Sequence, residues 1–144
     1  MKRIPIGSDH AGFAVKEQVK HILENLGYTP VDFGTHNETP PVDYPDFAKR
    51  VSEAVDSGEY GRGILVCGSG QGVCMTANKF AGVRAALAWN PEVAALSAQH
   101  NDANMLCLPG RFVDEQTVAS IVETWLTTEF EGGRHERRVN KISC

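Results

Sequence analysis

No stretch of this 144-residue sequence approaches the roughly 18 consecutive apolar residues of a membrane-spanning helix, and the amino terminus MKRIPIGSDHAG has no apolar core such as a secretory signal carries. The expectation is a soluble, cytoplasmic protein. Cysteine is sparse: Cys67, Cys74, Cys107 and Cys144 contain no Cys-x-x-Cys spacing, which removes the zinc and redox motifs and leaves thiols in a reducing compartment. The five histidines show no metal-ligand spacing. A broad basic field is missing too. With 14 Lys+Arg against 18 Asp+Glu the formal charge is -4, so nucleic-acid binding is disfavoured and an anionic ligand must be held by a local cluster.

What is present is an alternation. Short apolar runs at 3–7, 30–34, 63–67, 83–89 and 104–108 predict five strands, and segments of helical period predict helices at 13–26, 45–57, 71–80, 91–100 and 115–129. This order argues for an α/β fold with a parallel sheet covered on both faces. Val15, Val19, Ile22, Leu23 and Leu26 make one apolar stripe, and Val118, Ile121, Val122, Trp125 and Leu126 make another. Gly27 is placed as a helix C-terminal cap, while Asn90 before Pro91, and Asp114, are placed as N-caps. Pro5 cannot donate to a ladder, so the first strand is expected to be an edge, to begin near Pro5, or to be irregular there. The loops are short apart from 35–44, so 1–144 reads as a single domain. Gly132 and Gly133 break the last long helix, and the basic remainder of 132–144 is expected to form a tail helix.

Ligands of an open parallel sheet collect beyond the carboxyl ends of its strands. Ser8-Asp9-His10-Ala11-Gly12 follows the first strand, and Cys67-Gly68-Ser69-Gly70-Gln71-Gly72 follows the third. Three glycines in the second segment allow a tight turn whose N–H groups converge ahead of a helix, which is either an anion cradle or an ordinary glycine-rich turn. It is no dinucleotide fingerprint, since the third glycine would fall on Val73, and no P-loop, since Gly-Lys-Ser/Thr is missing. Cys67 stands directly before this turn, where the N–H groups and the helix dipole would favour a thiolate able to act as a base. Cys74 and Cys107 read as structural thiols. Asp9 and His10 offer a carboxylate and an imidazole for a hydroxyl, a phosphate or a moving proton, against the blander reading of a cap and an exposed histidine. His21 and His36 read as surface residues.

His100, with Asn101, ends the helix before the fifth strand, toward the opposite edge of the sheet from Cys67. A catalytic His100 would therefore need a second subunit to meet Cys67; otherwise it is a histidine interacting with a helix dipole. Arg134 and Arg138 are four residues apart and project from one helix face, which can clamp a phosphate or be a solvated basic face. Arg111 is a further candidate near the strand ends.

Taken in order, GSDHAG, DYPDFA, CGSGQG followed by ANKFAGVRAA, HNDAN and FEGGRHERRVNKI resemble the type B ribose-5-phosphate isomerase family, which includes galactose-6-phosphate isomerase subunits and allose-6-phosphate isomerases. The resemblance covers 6–142. It implies a Rossmann-like three-layer αβα sandwich with a five-stranded parallel sheet. It also implies interconversion of ribose 5-phosphate and ribulose 5-phosphate with no metal or organic cofactor, at active sites shared within a homodimer or a dimer of dimers. By this resemblance Cys67 is the base that moves a proton between C2 and C1. The amides from Gly68 through Gly70 and Gln71 to Gly72 form the hole for the enediolate, with Ser69 in place of a hydroxyl that is often Thr. His100 opens the furanose ring, assisted by Asp9 and Asn101, and Tyr44 lines the site. His10, Arg111, Arg134 and Arg138 resemble the phosphate ligands. Relatives without the cysteine use a glutamate that would align with Val73, so the cysteine version is expected here. The rival readings are an isomerase of a six-carbon sugar phosphate and a non-catalytic sugar-phosphate binding module; the module would not need both Cys67 and His100. Neither a nucleic acid nor a membrane is expected as a partner.

Overall fold

Five apolar runs form the strands β1 (Arg3–Ser8), β2 (Thr29–Asp32), β3 (Gly63–Cys67), β4 (Ala85–Leu87) and β5 (Met105–Pro109) of one parallel sheet, in the order β2-β1-β3-β5-β4. The computed structural model describes residues 2–143, so Cys144 lies outside the described residues. The helices are α1 (Phe13–Asn25), α2 (Tyr44–Asp56), α3 (Gln71–Ala77), α4 (Pro91–Gln99), α5 (Glu115–Thr127) and α6 (Arg134–Asn140).

Alternation along the strands decides which helix covers which face. Ile4, Ile6, Ile64, Val66, Leu106 and Leu108 join buried residues of α1, α4 and α5, whereas Leu65, Cys67, Met105 and Cys107 join those of α2 and α3. The result is an α/β fold of three layers. Trp125 and Ile121 of α5 and Leu23 of α1 are almost wholly buried, each contributing about 1.5–3 kcal/mol of hydrophobic stabilisation.

The expected caps form. Gly27 adopts φ 86°, its N–H donating to the Glu24 carbonyl and that of Tyr28 to the Leu23 carbonyl, which closes α1 as a Schellman motif. The side chains of Asn90 and Asp114 each accept an N–H bond at 2.8 Å, from Val93 and Thr117.

Among the five strands and the first five helices, four elements depart from the expected bounds by two residues or more. β4 spans Ala85–Leu87, not 83–89, because it is a sheet edge paired only with β5, and Trp89 beyond it is exposed. β2 stops at Asp32 because Gly34 turns at φ 95°. Helix α3 stops at Ala77 and α5 at Thr127, each shorter than its apolar pattern. Of the three alternatives for Pro5 the edge is excluded, since β1 lies between β2 and β3. The carbonyls of Lys2 and Ile6 accept from Thr29 of β2 and from Phe33 just after it, so Pro5 turns its nitrogen the other way, toward β3, whose pairing starts only at Ile6 with Ile64. The missing donor thus falls ahead of that ladder.

Candidate active site

The sheet reverses its winding between β1 and β3, since β2 lies outside one and β5 outside the other. The helix after β1 packs on one face and the helix after β3 on the other, which opens a crevice between their carboxyl ends. Asp9, His10, Tyr44, Cys67, Gly68, Ser69, Gly72 and Arg111 line one cavity there, of about 530 Å³, together with Ala11, Met75 and Phe112. Gly70 and Gln71 belong to the same turn and to the start of α3.

The backbone explains this convergence. The Asp9 N–H donates to the Val66 carbonyl at 3.3 Å, and Asp9 Oδ1 accepts from the Gly12 N–H at 2.9 Å. Asp9 therefore braces the turn that leads into α1 and is also a wall of the cavity. His10 Nδ1 accepts from the Val42 N–H at 3.0 Å, so the neutral ring carries its proton on Nε2. Gly110 donates to the Cys67 carbonyl at 2.9 Å and Arg111 to the Gly68 carbonyl at 3.0 Å, tying the end of β5 to the glycine turn.

Each glycine of the turn is needed by a close approach. A Cβ on Gly68 would lie 3.2 Å from Nη1 of Arg111, so the guanidinium rests over the bare backbone. One on Gly72 would lie 2.5 Å from the Tyr44 ring. Gly70 has φ 75° and starts α3, whose leading N–H groups have no carbonyl four residues back. The Gln71 N–H donates to Ser69 Oγ at 3.4 Å, which folds the serine hydroxyl against the turn. Cys67, 5% exposed, sits at the floor of this arrangement. The cavity thus combines a thiol, converging amides, an imidazole and a guanidinium, a set suited to a small anionic substrate with an acidic C–H.

Cys74 and Cys107 lie away from the cavity as a thiol pair behind α3. The Cys107 thiol, hydrogen-bonded to Cys74, holds Cys74 below the usual thiol value against the opposing effect of burial, while burial pushes Cys107 well above it. The Cys74 Sγ donates to the Ala85 carbonyl at 3.4 Å. His21 and His36 are exposed.

His100, Asn101, Arg134 and Arg138 are outside the Cys67 cavity. His100 caps the C-terminal end of α4, and Asn101 lines a second cavity of about 740 Å³ bounded by β4 and the end of α6. That larger space is lined by no thiol or imidazole among the described residues, which makes the smaller one the candidate site. Arg134 and Arg138 are exposed on α6. Sequence reasoning missed Ala11, Met75 and Phe112 in the cavity wall. Met75 and Phe112 are 64% and 75% exposed, a property visible only once the fold is known. It also missed Glu131 and His135, which gather beside His100; the i, i+4 spacing of those two was the available signal.

The model of the Ribose/Galactose Isomerase family matches residues 4–142. The chain is 43% identical over 144 residues to ribose-5-phosphate isomerase B of Escherichia coli, covering 100% of this chain and 96% of that protein. Ribose-5-phosphate isomerase B of Clostridium thermocellum has the same fold with a TM-score of 0.94 and 50% identity, over 97% of this chain and 94% of the other. The Mycoplasma genitalium enzyme of the same name, solved with bound ribulose 5-phosphate, superposes with a TM-score of 0.93 at 45% identity, over 97% and 93% of the two chains. With the crevice, the glycine turn and these likenesses in agreement, the chain belongs to the ribose/galactose isomerase family of enzymes.

Proposed function

We propose that this protein is a cytoplasmic homodimeric isomerase that interconverts ribose 5-phosphate and ribulose 5-phosphate. The observation that carries the reading is the single cavity in which Cys67 lies under the Gly68–Gly72 turn with His10 and Arg111 on its rim. The relatives named above are ribose-5-phosphate isomerases B, one of them holding ribulose 5-phosphate, which supports the reading.

The reaction needs two stages. In the first, His100 takes the proton of the C1 hydroxyl, the bond from C1 to the ring oxygen breaks, and that oxygen takes up a proton, leaving the open aldehyde. In the second, the Cys67 thiolate removes the proton from C2. The negative charge moves to the carbonyl oxygen, where the amides of the turn meet it, each well-placed donor being worth about 2.7–4 kcal/mol. The proton of the C2 hydroxyl passes to the C1 oxygen, the thiol returns its own proton to C1, and the ketose forms. A positioned base of this kind contributes roughly 10²–10⁴-fold. His10 and Arg111, with Arg134 and Arg138, hold the phosphate, and Asp9, Ser69, Tyr44 and Asn101 hold the sugar hydroxyls.

Because His100, Asn101, Arg134 and Arg138 stand outside the cavity of their own chain, we infer that a two-fold partner supplies them. Mixing inactive Cys67→Ala protein with inactive His100→Ala protein, under subunit exchange, should restore about a quarter of wild-type activity, since half the dimers are mixed and one site of each carries neither lesion. Exchange seen by mass spectrometry with no recovery would refute the shared site. Higher kcat/KM on allose 6-phosphate than on ribose 5-phosphate would refute the substrate.

A further inference from the structure

The His100 imidazole does not stand alone at the end of α4. It stacks on the ring of His135 with centroids 4.1 Å apart and planes 9° from parallel. The Glu131 carboxylate reaches both rings, Oε2 lying 3.9 Å from Nε2 of His100 and Oε1 3.7 Å from Nε2 of His135. The Glu131 N–H donates to the Gln99 carbonyl at 3.0 Å, which ties this segment to the residue before His100. His135 is 6% exposed, and its buried Nε2 has no hydrogen-bond partner among the described residues. Leaving such a nitrogen unpaired costs on the order of 1–3 kcal/mol, so packing alone would favour an apolar residue here.

Three potential metal ligands within 4.8 Å of one another invite a metal reading, which the ring geometry argues against. Imidazoles sharing one cation converge on a point about 2.0–2.1 Å from each nitrogen, along lone pairs lying in the ring planes. Two planes stacked 9° from parallel direct those lone pairs side by side. What the arrangement does provide is a fixed plane for the His100 ring and an acceptor beside its Nε2.

We propose that Glu131 and His135 are positioning residues for His100: the buried ring of His135 sets the plane of the His100 imidazole, and the Glu131 carboxylate bridges the two Nε2 atoms. The inference rests on reading His100 as the ring-opening group. Burial and then His100 itself lower the pKa of His135, with Arg134 and Arg138 acting in the same direction and Glu131 opposing. The half-buried ring of His100 is left to exchange protons with the sugar, and Glu131 faces the charge it gains.

The test uses the full chain and two reactions that need different parts of the site. Turnover of ribose 5-phosphate requires ring opening, whereas exchange of the C1 hydrogen of ribulose 5-phosphate with D2O requires only the Cys67 step, because that ketose is already open. Glu131→Gln and His135→Ala should lower kcat for ribose 5-phosphate roughly tenfold or more while leaving C1 exchange within about twofold of wild type. His135→Phe, which keeps a flat ring in the stack, should recover most of what His135→Ala loses. Equal losses in both reactions would mark a merely structural role, and unchanged turnover in Glu131→Gln would remove the carboxylate from the account; either result overturns the proposal. His100→Ala is the reference. If it leaves ribose 5-phosphate turnover intact, the ring-opening reading fails and this proposal with it. A defective His100→Ala beside a normal Glu131→Gln overturns this proposal alone.

Discussion

Replacing Gly70 with alanine probes the glycine turn at its tightest point. Gly70 has φ 75°, a conformation that costs an L-residue roughly 1–2 kcal/mol. A Cβ there would lie 2.5 Å from Cδ1 of Leu87 and 3.0 Å from the Leu108 carbonyl carbon and the Pro109 nitrogen. Leu87 can turn aside for about 0.5–1.5 kcal/mol, but the β5 backbone cannot, so the turn itself must lift by a few tenths of an ångström. Gly58 is the control, because it has φ 83° with nothing within 4 Å of an added Cβ. Gly58→Ala should cost only the conformational part, about 1–2 kcal/mol, and leave kinetics untouched. Gly70→Ala should cost about 1–2 kcal/mol more in urea unfolding and lower kcat about tenfold, part of the 10²–10³ seen when an oxyanion donor is removed outright. Equal stability losses in the two variants, or an unchanged kcat in Gly70→Ala, would refute the claim that close approach to β5 sets the amides.

Two further predictions follow from charge. Arg134→Ala and Arg138→Ala should each raise KM by an amount corresponding to roughly 1.5–3 kcal/mol, the worth of a charge-assisted contact to phosphate; unchanged kinetics in both would return α6 to a solvated face. Asp32 accepts from Lys16 at 2.5 Å and from Lys20 at 2.9 Å. Burial raises its pKa, yet hydrogen bonds from both lysines and from the Gly34 amide outweigh burial and bring it from 3.8 to about 2. A depressed carboxyl stabilises the fold above its unfolded pKa and loses that contribution as pH falls toward the folded value. After discounting for solvent, about 1–2 kcal/mol should disappear between pH 4 and 2. The urea midpoint of Asp32→Asn should accordingly show a shallower acid slope than wild type; identical slopes would contradict the assignment.

The order of elements and the faces of the helices were legible because the strands are bounded by glycines and caps and because α1 and α5 carry clean apolar stripes. Strand ends were less so. Nothing in Val83 or Trp89 tells that β4 has a partner on one side only, and Pro5 left an edge, a late strand start or an irregularity open because the direction its nitrogen faces depends on register. In the site, the residues after β1 and β3 could be read together, since the switch point of a parallel sheet dictates where their loops meet. Met75 and Phe112 could not, because neither residue type signals that it will be left exposed at a cavity. Lys16 was equally hidden: a lysine on an otherwise amphipathic helix reads as solvated, yet it is wholly buried against Asp32 and Glu17. The pairing of His100 with Glu131 and His135 required knowing that α6 returns to the end of α4.

The claim on which the rest depends is that Cys67 is the base. The direct measurement is exchange of the C1 hydrogen of ribulose 5-phosphate with D2O, in Cys67→Ala and in Cys74→Ala, with folding checked by circular dichroism and urea midpoint. Cys67→Ala should lose roughly 10²–10⁴-fold in exchange while binding the sugar, and Cys74→Ala should exchange at nearly the wild-type rate. A folded Cys67→Ala protein that still exchanges the C1 hydrogen at close to the wild-type rate would contradict the account.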